Sequence, residues 1–451
     1  MKQITLDGPS EKLEEKAVTT NESNEPPPKI ALHWSLIVAN TIILMLFVGF
    51  VFGFGRYLFR VVLPEMRADI GFDYATAGIL NALVSIGYLP VALWAGWLRD
   101  KLGAARLILW GCLVCFLSLI ALYQVSSVWM IGVLLALMGA SNAAVWTPMI
   151  EVIGRFMPKQ HQVKALGLIA SGTNLGILVN GLLVPFFLAG SGWRPIWLVV
   201  GLISAAITVV GLIMMMVTSV LKADHQAPKV ASKSKKARHA KEAQRGKEAQ
   251  RANATGGMIS RLRSIDRRFF VLAGLHGFVG LFSPTFTAYL SAYMRDELAM
   301  SIALIGQTWS MIGMVGLVSG FVIGWLGDHI GIKPTMQITI SLAMIATLLL
   351  LHHAFAVEFI IAGVLIAFGF LPLYGLVAGY ISKNAPPEQS TFIFGLINVV
   401  HNFTAMLGSY LGGLLQTWTG TFFWTYMLIL CSAGAALAIT TILPHKRAHS
   451  S

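Results

Sequence analysis

Charge is scarce in this chain. Of its 451 residues only 12% are Asp, Glu, Lys or Arg, while 56% are hydrophobic. A soluble globular chain carries roughly 25% charged residues, so a water-facing surface for a protein of this size is excluded. Lipid is the solvent this composition implies. Cysteine is sparse as well, and three residues exclude a disulfide framework. Cys112 and Cys115 do form a C-x-x-C, but inside an apolar run, where buried small hydrophobes are expected in place of a redox or metal pair. There is no phosphate loop, metal-ligand cluster or nucleophile–base pair, so neither an enzyme nor a cofactor is expected. No secretory signal precedes the first apolar run; the opening thirty residues are polar and acid-rich, ending in Pro26-Pro27-Pro28.

Apolar runs, glycine and tryptophan are abundant. Forty-four glycines and twelve tryptophans suit helices that pack closely in lipid and anchor at its interfaces. A spanning helix needs about 20 mostly apolar residues, since only a helix satisfies its own backbone in hydrocarbon. That rule predicts spans over 35–62, 75–98, 106–126, 128–156, 163–189 and 195–221, then 269–293, 302–327, 334–354, 357–382, 390–416 and 421–443. The expected fold is therefore an all-α membrane protein of twelve transmembrane helices in two six-helix bundles. The expected divisions are a polar tail (1–34), an N-terminal bundle (35–221), a basic linker (222–268), a C-terminal bundle (269–443) and a short tail (444–451).

The net charge of +13 would suit a polyanion if it were spread over a surface. Instead the cations lie between apolar runs. One set of loops holds Arg99, Lys101 and Arg106, then Arg155, Lys159 and Lys164, then Lys333, Lys383, Lys446 and Arg447. The opposite set holds little beyond Arg67, Arg194 and Arg295. The positive-inside rule then puts both termini and the linker in the cytoplasm, with a bacterial inner membrane the expected location. The linker contains a tandem repeat, KEAQRGKEAQR (Lys241–Arg251). A solvated tether that enforces topology is expected there, with anionic lipid as the other reading; no nucleic-acid partner is expected.

Two loops share one frame. Gly96-Trp-Leu-Arg-Asp100-Lys101-Leu-Gly103-Ala-Ala-Arg106 follows the second span, and Gly324-Trp-Leu-Gly-Asp328-His-Ile-Gly331-Ile-Lys333 follows the eighth. The pattern G-x-x-x-D-[KH]-x-G recurs at matching places in the two halves, as in carriers built from repeated bundles. Gly96 and Gly324 would allow close helix approach. Asp100 and Asp328 would meet cations or helix N-termini, and Gly103 and Gly331 would take turn conformations. This motif resembles the loop signature of the major facilitator superfamily, and the likeness extends over essentially all twelve spans. The resemblance implies alternating access, with Gly96, Asp100, Lys101, Gly103, Arg106, Gly324, Asp328, Gly331 and Lys333 gating and not binding cargo. His329 stands where that family usually has Arg or Lys.

A candidate cargo site begins with Arg56, which lies inside the first apolar run ahead of Pro64. Arginine at membrane depth costs about 3 kcal/mol or more and usually faces the bundle interior. Its planar fork suits a carboxylate or phosphate; the alternative is that it snorkels, or pairs with Glu65 or Asp69. Arg60 follows on the same face, nearer the outer surface. The stretch from Arg56 to Pro64 resembles the first helix of organophosphate:phosphate antiporters, although the matching arginine of the seventh helix is missing. Gly192-Trp193-Arg194 resembles a GWR common in anion and monocarboxylate branches. GFGRY (53–57), Pro284-Thr285-Phe286-Thr-Ala288-Tyr289 and Trp309 resemble the YbfB/YjiJ-type branch, a likeness that implies no cargo.

In the resembling superfamily helices 1, 4, 7 and 10 line the cavity, which adds Trp146, His276, Tyr289 and Tyr374 to Arg56 as expected substrate-binding residues. Gln307, Asn398 and His401 are further polar candidates within spans, although a residue of this kind is more often an interhelical hydrogen-bond partner than a ligand. His276 and His401 titrate nearest neutral pH and are the candidates for carrying a proton, with helix packing as the alternative. Glu151 and Arg155 have the i, i+4 spacing of a structural pair. The leading expectation is a monomeric secondary carrier of a small organic anion such as a monocarboxylate, with protons as the candidate coupling ion. A drug or amphipathic-metabolite exporter is the alternative, although the fifth span lacks the GPxxGG associated with drug:proton antiporters. A transporter-like sensor is the third reading.

Overall fold

The computed structural model describes residues 33–221, 265–352 and 355–443. Both polar tails and the Lys241–Arg251 repeat of the linker lie outside these residues. Among the described residues twelve helices are long and apolar enough to cross a membrane: α1 (Trp34–Ile70), α2 (Tyr74–Leu102), α3 (Ala104–Leu122), α4 (Val128–Phe156), α5 (Gln162–Leu188), α6 (Arg194–Val217), α7 (Arg267–Glu297), α8 (Ile302–His329), α9 (Ile332–His352), α10 (Ala356–Asn384), α11 (Phe392–Thr419) and α12 (Phe423–Ile442). The twelve-span, all-helical expectation holds. One boundary does not. The first span was expected to end at residue 62, ahead of Pro64, yet α1 continues through that proline. Proline has no N–H to give the carbonyl one turn back, but the helix resumes beyond it. It stops only at Gly71, whose φ of 83° and N–H bond to the Arg67 carbonyl close the last turn.

Helix starts follow local chemistry. The Asp73 side chain accepts the Thr76 N–H at 2.8 Å, and Ser301 accepts that of Leu304 at 3.2 Å. Hydrogen bonding with Thr76 holds the Asp73 carboxyl below its usual range. Inside the bundles small residues set the packing, since lipid supplies no hydrophobic drive between helices. A Cβ on Gly139 would fall 1.9 Å from the Val84 carbonyl oxygen, and one on Gly176 would fall 2.3 Å from that of Gly49. Backbones therefore touch where α4 meets α2 and where α5 meets α1.

Prolines also lie inside α2 (Pro90) and α5 (Pro185), but the helices α1, α4, α7 and α10 share irregular backbone or a proline near mid-span. α1 contains a π-helical stretch, Gly49–Leu58, and α7 contains Pro284. α4 breaks at Thr147-Pro148, between segments Val128–Trp146 and Met149–Phe156. α10 breaks at Phe370, between Ala356–Gly369 and Leu371–Asn384. Helices 1, 4, 7 and 10 hold corresponding places in the two halves, and irregular backbone at this depth persists only where protein or a cavity surrounds it.

The halves meet mainly toward one face of the bundle, opposite to that where α1 begins and α12 ends. There Arg67 pairs with Asp296 at 3.1 Å, Arg295 with Glu65 at 3.3 Å, and Tyr74 donates to Asp296. The Ala75 N–H donates to Thr417 at 2.9 Å. Closer to the middle, Asn174 Nδ2 donates to the Gly316 carbonyl at 2.7 Å. At the termini face the ion pairs among described residues stay within a half: Arg99–Glu151 at 3.5 Å, Arg155–Glu151 at 2.9 Å, and Lys383–Asp328 at 3.0 Å. The protein is closed at the opposite face.

Candidate substrate site

Helices α1, α5, α7, α8 and α10 line a small pocket between the two halves. Its polar lining comes from Arg56, Tyr57 and Arg60 of α1, Ser283 and Thr287 of α7, and Tyr374 of α10. Its apolar lining includes Ile177, Pro284, Ile312, Ile366, Phe370 and Leu371.

Arg56 belongs to the π-helical stretch, and such stretches are frequent at functional sites. The sequence explains why the stretch survives. Gly53 lets α5 approach so closely that an added Cβ would lie 2.5 Å from the Gly176 Cα. Asn180 Nδ2 then donates to the Gly53 carbonyl at 2.9 Å. The Asn142 amide faces the Val51 carbonyl at 2.9 Å. Neighbouring helices thus supply donors to the loosened backbone.

The arginines lack acidic partners. Arg56 makes no hydrogen bond or ion pair among the described residues, and its Nε is buried and unpartnered. Arg60 is 3% exposed; its Nη1 donates to Thr287 Oγ1 across the halves and its guanidinium lies 5.0 Å from the Tyr57 ring centre. Its Nε is also unpartnered. The acids that would have neutralised Arg56 are engaged elsewhere. Glu65 pairs with Arg295, and Asp69 binds Arg194 at 2.9 Å and the Trp193 indole N–H at 3.2 Å. Arg194 also donates to the Val125 carbonyl at 2.8 Å. In the GWR segment Arg194 therefore ties α6 to the ends of α1 and α3 and does not line the cavity.

Beside Arg56 and Tyr374 lies a layer of histidines. His276 (α7) and His401 (α11) are buried and stacked, with ring centres 4.4 Å apart and planes inclined by 28°. The Tyr374 hydroxyl and His401 Nε2 are 2.6 Å apart, and His401 Nδ1 lies 3.1 Å from the His276 carbonyl. Gly280 permits this arrangement, because a Cβ there would fall 2.4 Å from the His401 carbonyl oxygen.

Of the residues expected to bind cargo, Arg56 and Tyr374 line the cavity and His276 and His401 back it. The other four lie apart from it in this conformation. Tyr289 is fully buried, giving its hydroxyl to the Ser409 carbonyl at 2.5 Å within the closed face. Trp146 packs edge-on to Phe52 at 6.2 Å. Gln307 is exposed near the start of α8. Asn398 donates to the Phe394 carbonyl on its own helix at 3.1 Å. Tyr57, Ser283 and Thr287 enter the lining without having been singled out, and Arg60 enters it against the expectation of a more superficial place. The i, i+4 spacing of Ser283 and Thr287, which puts both hydroxyls on one helix face, was the available signal.

The paired loops show both agreement and departure. Gly103 and Gly331 take φ of 90° and 97°, the turn conformation expected of them. Asp100 is held by neighbouring Arg99 at 2.9 Å, and Lys101 lies 4.0 Å above the Trp97 ring centre. Lys333 donates to the carbonyls of Thr441 at 2.8 Å and Leu443 at 2.7 Å, capping the end of α12. Arg106 is half-buried at the start of α3. The close helix approach expected at Gly96 and Gly324 is absent: an added Cβ would meet nothing within 4 Å at either. Both glycines lie toward the face where the halves are not joined.

Comparison with known proteins places this geometry. Residues 45–409 match the family model described as Major Facilitator Superfamily. A gallate transporter of Pseudomonas putida is 24% identical over 91% of this chain and 92% of its own. A putative metabolite transport protein of Haemophilus influenzae is 23% identical over 63% of this chain and 66% of its own. A cis,cis-muconate transport protein of Acinetobacter baylyi is 22% identical over 75% and 78%. Among solved structures, the nucleoside transporter NupG superposes with a TM-score of 0.65 at 14% identity, covering 90% of this chain and 98% of that one. A point mutant of the peptide transporter POT gives 0.62 at 17%, covering 90% and 93%. The chain belongs to the Major Facilitator Superfamily, a family of membrane transporters and not of enzymes.

Proposed function

We propose that this carrier moves a small organic anion, a carboxylate with an apolar body, by alternating access. The carrying observation is the pair of arginines on α1, both at the cavity and neither matched by an acid. A partnerless guanidinium at membrane depth is too costly to be idle, and its fork suits a carboxylate. Ser283, Thr287, Tyr57 and Tyr374 supply hydroxyls around it, while Ile312, Ile366 and Phe370 suit an apolar body. Relatives named for gallate, cis,cis-muconate, benzoate and sulfoacetate, all organic anions, support the same reading. The absence of an arginine from the membrane-embedded middle of α7 favours a carboxylate over a phosphate ester.

The loop cations put the termini face in the cytoplasm of a bacterial inner membrane. The conformation described here, closed at the opposite face, is then the one that exchanges with the cytoplasm. Protons are the proposed co-substrate. The YbfB/YjiJ-type likeness of the Gly53–Tyr57 segment adds a branch without a cargo. A drug exporter is less favoured, because of the aromatic residues available to it Trp146, Tyr289 and Trp309 lie outside the lining.

Thermal stabilisation of the purified carrier tests this. A ligand that binds the folded state at 100 times its Kd adds about 2.7 kcal/mol. Gallate, benzoate, cis,cis-muconate and sulfoacetate should include stabilisers of the wild type whose effect disappears in Arg56→Gln. Stabilisation by neutral or cationic compounds alone, or an unchanged anion response in Arg56→Gln, would refute the reading.

A further inference from the structure

The hydrogen-bond directions in the histidine layer are fixed by their partners. His401 Nδ1 faces the His276 backbone carbonyl at 3.1 Å. A carbonyl oxygen only accepts, so Nδ1 carries the hydrogen. In a neutral imidazole Nε2 is then a lone pair, and the Tyr374 hydroxyl 2.6 Å away must donate to it. Tyr374 thereby spends its one hydrogen inside the protein, and the side of its oxygen turned to the cavity is a lone pair. A carboxylate there is repelled.

A proton added to His401 reverses this. We propose that His401 is the proton-binding site of the carrier and that Tyr374 is the hydrogen-bond switch joining that proton to the anion held by Arg56. The inference rests on the anion reading above. A proton from water adds to the Nε2 lone pair; Nε2–H then donates to the Tyr374 oxygen. The hydroxyl hydrogen turns to the cavity and donates to the substrate carboxylate. No covalent bond other than N–H forms, and none breaks but that of the donor water.

Charge works in the same direction. The titratable and charged groups facing the cluster are Arg56, Tyr57 and Arg60 from α1, Tyr88 from α2 and His276 from α7, and none is a carboxylate. With no anion the Arg56 charge opposes a second cation nearby; an anion on Arg56 cancels that opposition. Each ligand therefore favours the other, as linkage requires. Stacking at 4.4 Å limits the pair to one proton, since two imidazolium rings that close repel strongly.

The test measures proton uptake on binding. Purified carrier in weakly buffered detergent at pH 7.5 is titrated with gallate, benzoate, cis,cis-muconate and sulfoacetate, a dye reporting protons and calorimetry reporting the anion. The wild type should take up about one proton per bound anion, and its anion affinity should weaken as pH rises. In His401→Gln, which can still accept from Tyr374 but cannot be protonated, proton uptake per bound anion should fall at least tenfold, and the anion should bind more weakly with little dependence on pH. In Tyr374→Phe the pH dependence of the affinity should shrink to the part carried by the Arg56 charge while the protein stays monodisperse. Undiminished uptake in His401→Gln, a wild-type pH dependence in Tyr374→Phe, or anion binding by the wild type without protons would each overturn the proposal. Binding of none of the four anions by the wild type would overturn the anion reading itself, and this inference with it.

Discussion

Gly413 offers a direct handle on the conformational equilibrium. It lies on α11 in the C-terminal half, against the start of α2 in the N-terminal half. A Cβ there would fall 2.0 Å from the Tyr74 carbonyl oxygen and 2.5 Å from the Tyr289 hydroxyl. Ordinary contact begins near 3.4 Å, so Gly413→Ala forces the two halves apart by more than an ångström at the closed face. Overpacking of this kind costs about 1–3 kcal/mol. The cost falls on this conformation alone if the face opens during transport, which is a population shift of about 5- to 150-fold. Electron-electron distance measurements would read it, with spin labels at Ser126→Cys and Ala303→Cys, exposed residues on the two halves at that face. Cys431 is exposed and is first replaced by Ser; Cys112 and Cys115 are buried and stay. Gly413→Ala should lengthen the label distance. Gly190→Ala at the same face should not, since an added Cβ there meets nothing within 4 Å. An unchanged distribution in Gly413→Ala, or an equal change in Gly190→Ala, would refute the reasoning.

Three further outcomes follow from the same structure. Arg60→Gln removes a buried charge that no acid compensates, so the detergent-solubilised protein should melt no lower than wild type while anion uptake falls at least tenfold. Asp296→Asn deletes the half-exposed pair with Arg67; such pairs contribute about 0.2–1 kcal/mol, so the same label distance should shift by at most about fivefold in population. Asp73→Ala should cost about 0.5–2 kcal/mol at the start of α2. Because the carboxyl titrates below its usual value of 3.8, its contribution is full above about pH 4 and is lost as pH falls below the folded-state value. Faster amide exchange in the first turn of α2 in Asp73→Ala than in wild type, both at pH 7, would be the readout.

Hydropathy and the repeated Gly96–Asp100–Gly103 frame make the twelve-helix architecture readable in the sequence. The depth of the site was less readable, for one local reason. Pro64 looks like a terminator, and a helix ending there leaves Arg60 near the surface. With α1 extending to Ile70, Arg60 lies ten residues from its end, about 15 Å at 1.5 Å per residue, and becomes a buried partner of Arg56. The π-helical stretch has no sequence periodicity of its own; it depends on Gly176 and Asn180 of α5 meeting Gly53, a contact between distant segments. Tyr289 and His401 show the same limit from opposite sides. Both are polar residues within apolar spans, but only packing tells that one hydroxyl closes a face against Ser409 while the other side chain meets Tyr374 behind the cavity.

Arg56 is the residue proposed to supply the fixed positive charge for an organic anion. Uptake of radiolabelled gallate and benzoate into proteoliposomes, wild type beside Arg56→Gln and Arg56→Lys, measures it most directly. Wild type should show saturable uptake of at least one of these anions, Arg56→Lys partial activity, and Arg56→Gln a loss of at least about tenfold, as deletion of a charge-assisted pair implies. Wild-type uptake by Arg56→Gln would contradict it.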